Sequence, residues 1–249
     1  MSVNLAFYYF LTVVLLTRLF FQFRDNPLSA KSAISKTIVE LLAILLLAWN
    51  PALIPLGFFL IVLNISAYFV ERRIKKIDLT RLCFLLIYLI LFSIIFSRAA
   101  GVGFNTALLK RIGSLETHFI LFSYFKYVDW QTFLKISASF LFALNETNVL
   151  IRYLMAALSL EPRLGENEAA GAMDTREYNR GRVIGILERT LIYYFVLYGH
   201  FSAVGFILAA KGVTRFKELE NRSFAEYFLI GTLSSTIIAG AIALLVKHI

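Results

Sequence analysis

An all-α fold, a polytopic bundle of about eight transmembrane helices, is the class this sequence predicts, on three observations. Of the 249 residues 59% are hydrophobic and only 16% charged, whereas a soluble domain carries roughly 25% charged residues. The apolar residues come in long runs, several near the ~20 residues a helix needs to cross a hydrocarbon core. Those runs lack the period-two alternation of an outer-membrane barrel, and the 24 Phe and 12 Tyr suit lipid-facing surfaces and interfacial belts.

The expected spans are residues 5–23, 38–49 (starting nearer Ser35), 53–69, 79–96, 133–158, 183–198, 201–213 and 224–246. The first has no basic residue before it, and Arg18 and Arg24 lie at its far end. That polarity is the reverse of a secretory signal, so a retained first helix with an outside N-terminus is expected. Asn50-Pro51-Ala52 separates the second and third spans, because proline ends one helix and can begin another. Gly199-His200 separates the sixth and seventh in the same way, and both pairs are read as antiparallel hairpins. Between the fourth and fifth spans, residues 98–130 mix Lys110, Arg111, Glu116, His118 and Lys126 with Phe, Leu and Tyr. They read as an interfacial or partly re-entrant helix pair on the outer face.

Lysine and arginine set the orientation. Arg24, Lys31 and Lys36 mark the first loop as cytoplasmic; Arg72, Arg73, Lys75, Lys76 and Arg81 do so for the third. Arg176, Arg180 and Arg182 precede the sixth span, and Lys217 and Arg222 the last, on the same side. Eight spans with both termini outside satisfy all four. The net charge of +9 is thereby explained by short loops beside anionic headgroups, and nucleic acid is not an expected partner. Membrane lipids are, in the cytoplasmic (inner) membrane of a bacterium. The chain reads as one domain over 1–249: a helical scaffold to residue 160, a polar cytoplasmic loop over 161–182, and a hairpin plus final helix over 183–249. No internal repeat supports an inverted-repeat transporter.

Charges inside the apolar runs locate the candidate site, since each costs at least ~2.5–3.5 kcal/mol at a helix centre. Counting from the Gly199-His200 turn, Glu188 lies twelve residues before it and Lys211 eleven after, so at ~1.5 Å per residue their depths nearly coincide and they can pair. Arg182, Gly185 and Arg189 share a helix face at spacing three and four, as do Lys211, Arg215 and Glu218, and Asn145, Asn148 and Arg152. Glu146 neighbours the last group, and Glu226 opens the final span. Arg152, Arg189, Lys211 and Arg215, oriented by Asn145, Asn148, Glu146, Glu188 and Glu226, are therefore read as a cytoplasm-facing recess in which cations outnumber carboxylates. Such a recess suits a small anion or a lipid headgroup, gripped by arginine forks.

A bland reading carries equal weight for the cluster. Arg182 and Arg215 lie near helix ends and can snorkel, and Glu188 with Lys211 can act as a clamp that fixes register. For Arg18 and Arg98 the anchor reading is the stronger one, and Asn64 and Ser66 read as helix–helix hydrogen bonds. Gly231, Ser235 and Ala239 form a small-residue stripe suited to close helix contact, within the bundle, with a protein partner or between copies of the chain.

No cofactor, metal or catalytic residue is expected. His118, His200 and His248 are scattered, Asp occurs four times, and no phosphate-cradling glycine loop or Gly-x-Ser-x-Gly elbow is present. Glu146 before Arg152 lacks the Glu-Glu-x-x-x-Arg spacing of the prenyl-processing intramembrane proteases. The lone Cys83 lies in an apolar run, where a thiol more often packs than reacts. Alternatives to anion binding or transport are a non-catalytic scaffold or complex subunit, and a membrane-embedded transferase on a lipid phosphate with Glu146 or Glu188 as general base.

The block Tyr178-Asn179-Arg180-Gly181-Arg182-Val183-Ile184-Gly185-Ile186-Leu187-Glu188-Arg189 resembles the C-terminal membrane region of a family of bacterial polytopic membrane proteins defined by a domain of unknown function. The likeness continues through Ala209-Ala210-Lys211, Thr214-Arg215-Phe216 and Ala225-Glu226-Tyr227-Phe228-Leu229-Ile230-Gly231-Thr232-Leu233-Ser234, about the last third of the chain. The family's N-terminal His and Asp-Phe-x-x-Gln helix is not found. The resemblance implies a membrane-embedded helical region and no activity.

Overall fold

The computed structural model describes residues 3–19, 26–74, 76–113, 127–158, 160 and 175–248. The regular elements among these residues are helices, with no strand: α1 (Val3–Arg18), α2 (Ala30–Ile44), α3 (Leu53–Arg73), α4 (Ile77–Ile95), α5 (Thr106–Gly113), α6 (Trp130–Ala157), α7 (Thr175–Leu197), α8 (Phe201–Thr214), a 3₁₀ turn at Glu218–Glu220, and α9 (Arg222–His248). Three of the helices, α3, α4 and α9, are long and apolar enough to cross a membrane, while α1 and α8 are apolar but shorter. Helices α6 and α7 have the length, but polar residues recur along both. The chain forms two compact units, Met1–Ala138 and Ser139–Ile249.

In the first unit α1, α2, α3 and α4 run alternately up and down. Tyr9 donates to the Ala43 carbonyl (3.2 Å) and Thr17 to Glu40 (3.0 Å), which sets α1 antiparallel to α2. Phe10 meets Phe92 edge to face at 5.3 Å, while Arg18 donates to the Arg81 carbonyl (3.0 Å), which does the same for α1 and α4. Phe10, Val14, Leu56, Leu60 and Phe92 are fully buried between the helices. The outer faces are no less apolar: on α3, Ile54, Phe58, Ile65 and Phe69 are all more than half exposed. A helix that is hydrophobic all round belongs in a large core or in lipid.

The second helix corrects the sequence reading. Ser29 caps it by accepting the Ser32 N–H, and it runs from Ala30 to Ile44, not from near Ser35 to Trp49. Lys36 is therefore a helix residue and buried, as is Arg81 on α4; neither marks a loop. Beyond α2 the chain is irregular, and its backbone bonds to the segment after α4. The Ala48 N–H donates to the Gly103 carbonyl (2.8 Å) and the Asn105 N–H to that of Leu46 (3.0 Å). Asn50 then turns the chain into α3, accepting the Ala52 N–H (2.9 Å) and donating to Ala100 (2.8 Å). Of the expected helix pair over 98–130, α5 is described; Glu116, His118 and Lys126 lie outside the described residues.

In the second unit α7 packs on both α8 and α9. The α7–α8 turn closes at Gly199, where φ is +81°. The His200 N–H donates to Phe195 (2.7 Å) and the Gly199 N–H to Val196 (3.1 Å), the paired bonds by which a Schellman motif satisfies the last carbonyls of a helix. Helix α7 begins at Thr175, eight residues before the expected start at Val183, so the described end of the 161–182 segment is helical and not loop; residues 161–174 lie outside the described residues. The small residues of α9 face its own neighbours. Ala239 and Ala243 are fully buried, and a Cβ placed on Gly240 would meet Val196 at 3.7 Å, one on Gly231 Met155 at 3.7 Å.

Candidate functional site

Helix α7 supplies the centre of the predicted cluster. Arg182 and Arg189 are buried, at 9% and 5% exposure. Gly185 stands between them on the same face, and the Arg189 guanidinium folds back over it, with Nη1 3.5 Å from where a Cβ would be. Arg189 lies in the fields of Glu188, which favours its charge, and of Arg152 on α6, which opposes it.

The pair expected across the hairpin forms. Lys211 Nζ lies 2.5 Å from Glu188 Oε2, with the side chains 21% and 17% exposed. The same ammonium lies 5.4 Å from the centre of the Phe228 ring on α9, so one cation joins three helices through an ion pair and a cation–π contact.

From α6, Asn145 and Glu146 are buried at 0% and 2% exposure, and Asn145 Nδ2 donates to Glu146 Oε1 (2.8 Å). Asn145 Oδ1, Thr147 Oγ1, Asn148 Nδ2 and the Nε atoms of Arg152, Arg182 and Arg189 are buried with no hydrogen-bond partner. Arg152, Arg182 and Glu146 make other contacts. Buried polar atoms are nearly always satisfied, and exceptions need a reason. All six of these lie on α6 and α7.

Two predicted residues are elsewhere. Arg215 bonds Glu218 (3.0 Å) and Glu226 bonds Arg222 (3.0 Å), and the Glu218, Glu226 and Arg222 side chains are more than half exposed. Helix α8 ends at Thr214, so the spacing that would align Arg215 and Glu218 with Lys211 does not continue. Glu226, the fifth residue of α9, is more than half exposed. Each of the two is paired within its own segment.

A second constellation, in the first unit, escapes the sequence reading. Lys36 on α2 reaches Glu40 Oε1 (2.7 Å), Asn64 Oδ1 on α3 (2.5 Å) and the Tyr88 hydroxyl on α4 (3.0 Å). Glu40 Oε1 also accepts from Thr17 (3.0 Å), and its Oε2 from Asn64 Nδ2 (2.7 Å). Nearer the end of the bundle, Glu71 accepts from Arg81 Nε (3.2 Å) and the Leu28 N–H (2.9 Å), while Arg81 donates to the Asn26 carbonyl (3.1 Å). Every one of these side chains is buried. Asn64 is thus an interhelical hydrogen-bonding residue, as expected, and Arg18 is buried at 2% exposure instead of anchoring at an interface. The available signal was spacing: Asn64 and Glu71 on α3, and Arg81 and Tyr88 on α4, are each seven residues apart and so share a helix face.

No protein-family model, no curated protein and no solved structure matches this chain.

Proposed function

We propose that this is a multi-pass protein of a bacterial inner membrane, with eight spans and both termini outside, that binds or moves a small anion or an anionic lipid headgroup. The ligand contacts assigned to it are Arg152, Arg189 and Lys211, with Asn145, Asn148, Glu146 and Glu188 around them. The carrying observation is Arg189: a guanidinium at 5% exposure, with Arg152 opposing its charge and an Nε that has no acceptor. An oxyanion between two such forks would accept from both and offset their repulsion. Glu188 holds the Lys211 ammonium in place across the α7–α8 hairpin.

The test is ligand binding by the full chain in nanodiscs, with inorganic phosphate, a short carboxylate and phosphatidylglycerol as separate probes. Arg189→Gln and Lys211→Met should each weaken binding at least tenfold, a loss of about 1.4 kcal/mol, with folded yield retained. Unchanged affinity in both variants removes the reading. The scaffold alternative would use the Gly231, Ser235 and Ala239 stripe, of which Ala239 is buried within the second unit and Gly231 and Ser235 are half-buried.

A further inference from the structure

The buried atoms without partners in the second unit make two opposite demands. Arg189 Nε and Asn148 Nδ2 are donors that lack an acceptor, which an oxyanion supplies. Asn145 Oδ1 is the reverse, an acceptor that lacks a donor, on a side chain at 0% exposure. Its orientation is fixed. Asn145 Nδ2 donates to Glu146 Oε1 (2.8 Å), and an ionised carboxylate only accepts, so turning the amide over would break that bond. Thr147 Oγ1, also buried without a partner, can donate or accept and adds no demand of its own.

The packing of α6 on α7 brings both kinds of atom to one level. The Ser139 and Tyr193 hydroxyls share a hydrogen bond of 2.6 Å, and the Phe140 ring lies 5.4 Å from that of Tyr193. Arg189, four residues before Tyr193, lies in the field of Arg152, thirteen after Ser139. The two helices therefore run antiparallel. Asn145 and Asn148 are six and nine residues after Ser139, while Leu187 and Ile184 are six and nine before Tyr193. With the same ~1.5 Å rise on each helix, the Arg189 guanidinium folded over Gly185 stands at the level of the two asparagines. Those asparagines, three residues apart, share one face of α6.

On the footing of the anion reading, we propose that the ligand is an oxyanion that carries its own hydroxyl. Its ionised oxygens accept from Arg189 and Asn148, and its O–H donates to Asn145 Oδ1. Hydrogen phosphate in solution holds both groups on one tetrahedral centre; in a bilayer, phosphatidylglycerol holds them on its phosphate and its glycerol. Sulfate, or a phosphodiester lipid without a hydroxyl, satisfies the donors and leaves Asn145 Oδ1 facing negative charge. A buried acceptor left without a donor costs its full desolvation. A site built to bond a ligand hydroxyl therefore discriminates strongly against the analogue that lacks it.

The experiment uses the full chain in phosphatidylcholine nanodiscs at neutral pH and two matched pairs of probes. Phosphate is compared with sulfate in solution, and phosphatidylglycerol with phosphatidylethanol in the bilayer. Whichever pair binds identifies the source of the oxyanion. Within that pair the hydroxylated member should bind at least about tenfold more tightly. Asn145→Leu removes the acceptor and should bring the hydroxylated member down to the affinity of its counterpart. If Asn145→Leu does not fold, the ratio measured on the wild-type chain decides alone. Equal affinities within a binding pair overturn the hydroxyl requirement and leave the anion reading standing; no binding by any of the four probes removes both.

Discussion

Single side chains in this protein hold charges where water is excluded, and the cost of removing a partner follows from that. Glu71 is the clearest case, since one carboxylate serves Arg81 and the Leu28 N–H, both buried. Glu71→Ala withdraws both acceptor contacts and should lower the unfolding free energy of the first unit by roughly 3–5 kcal/mol, read as a shifted midpoint in detergent unfolding. Glu71→Gln, which keeps an acceptor oxygen, should cost clearly less. Equal losses would mean that packing, not charge, is what Glu71 provides. Arg189 differs in kind: its surroundings include buried atoms without partners, so a bound anion should change its environment more than that of Glu71.

At the scale of elements, helix ends decide where side chains point. Asp129 caps α6, accepting the Gln131 N–H (3.1 Å) and the Thr132 hydroxyl (2.6 Å), and the Thr132 bond holds its carboxyl below the usual carboxylate range. A depressed folded value means the cap's contribution is complete above the unfolded value, ~3.9, and is lost as pH falls through the lower folded one. Protection of the Gln131 amide relative to its intrinsic exchange rate should therefore fall in acid, and Asp129→Ala should show the low protection at every pH. Gly199 has φ of +81°, and Gly199→Ala should destabilise the α7–α8 hairpin by about 1–2 kcal/mol, measured as a lower unfolding midpoint. That hairpin was legible in the sequence because its turn is short: counting residues from it fixes the relative depths of Glu188 and Lys211. The first-unit network was not. Starting α2 near residue 35 left Lys36 beside a loop, where a lysine is indistinguishable from a topology marker, and the same reasoning misassigned Arg81. Arg215 failed for the converse reason, because nothing in its spacing announces that α8 ends at Thr214; Glu226 does lie at the start of the last helix, but on an exposed face that its position alone does not reveal.

For the molecule as a whole, composition with the length of the apolar runs made the helical class legible, since apolar residues cover both the inside and outside of helices such as α3. The span count is harder to read, because α6 and α7 carry the polar residues of interest and lose apolar character in doing so. Length carries a further consequence. Helix α2 has 15 residues and α8 has 14, so at 1.5 Å per residue each is about 21–23 Å long, short of a hydrocarbon layer of ~30 Å. The backbone bonds from Ala48 to Gly103 and from Asn105 to Leu46 close polar groups left where α2 stops. On the proposed eight-span reading, in which α2 and α8 both cross, the surrounding lipid should be drawn thinner around the protein. In nanodiscs of graded acyl length the melting temperature should peak with shorter chains, and a peak at the longest would show that these two helices do not set the fit.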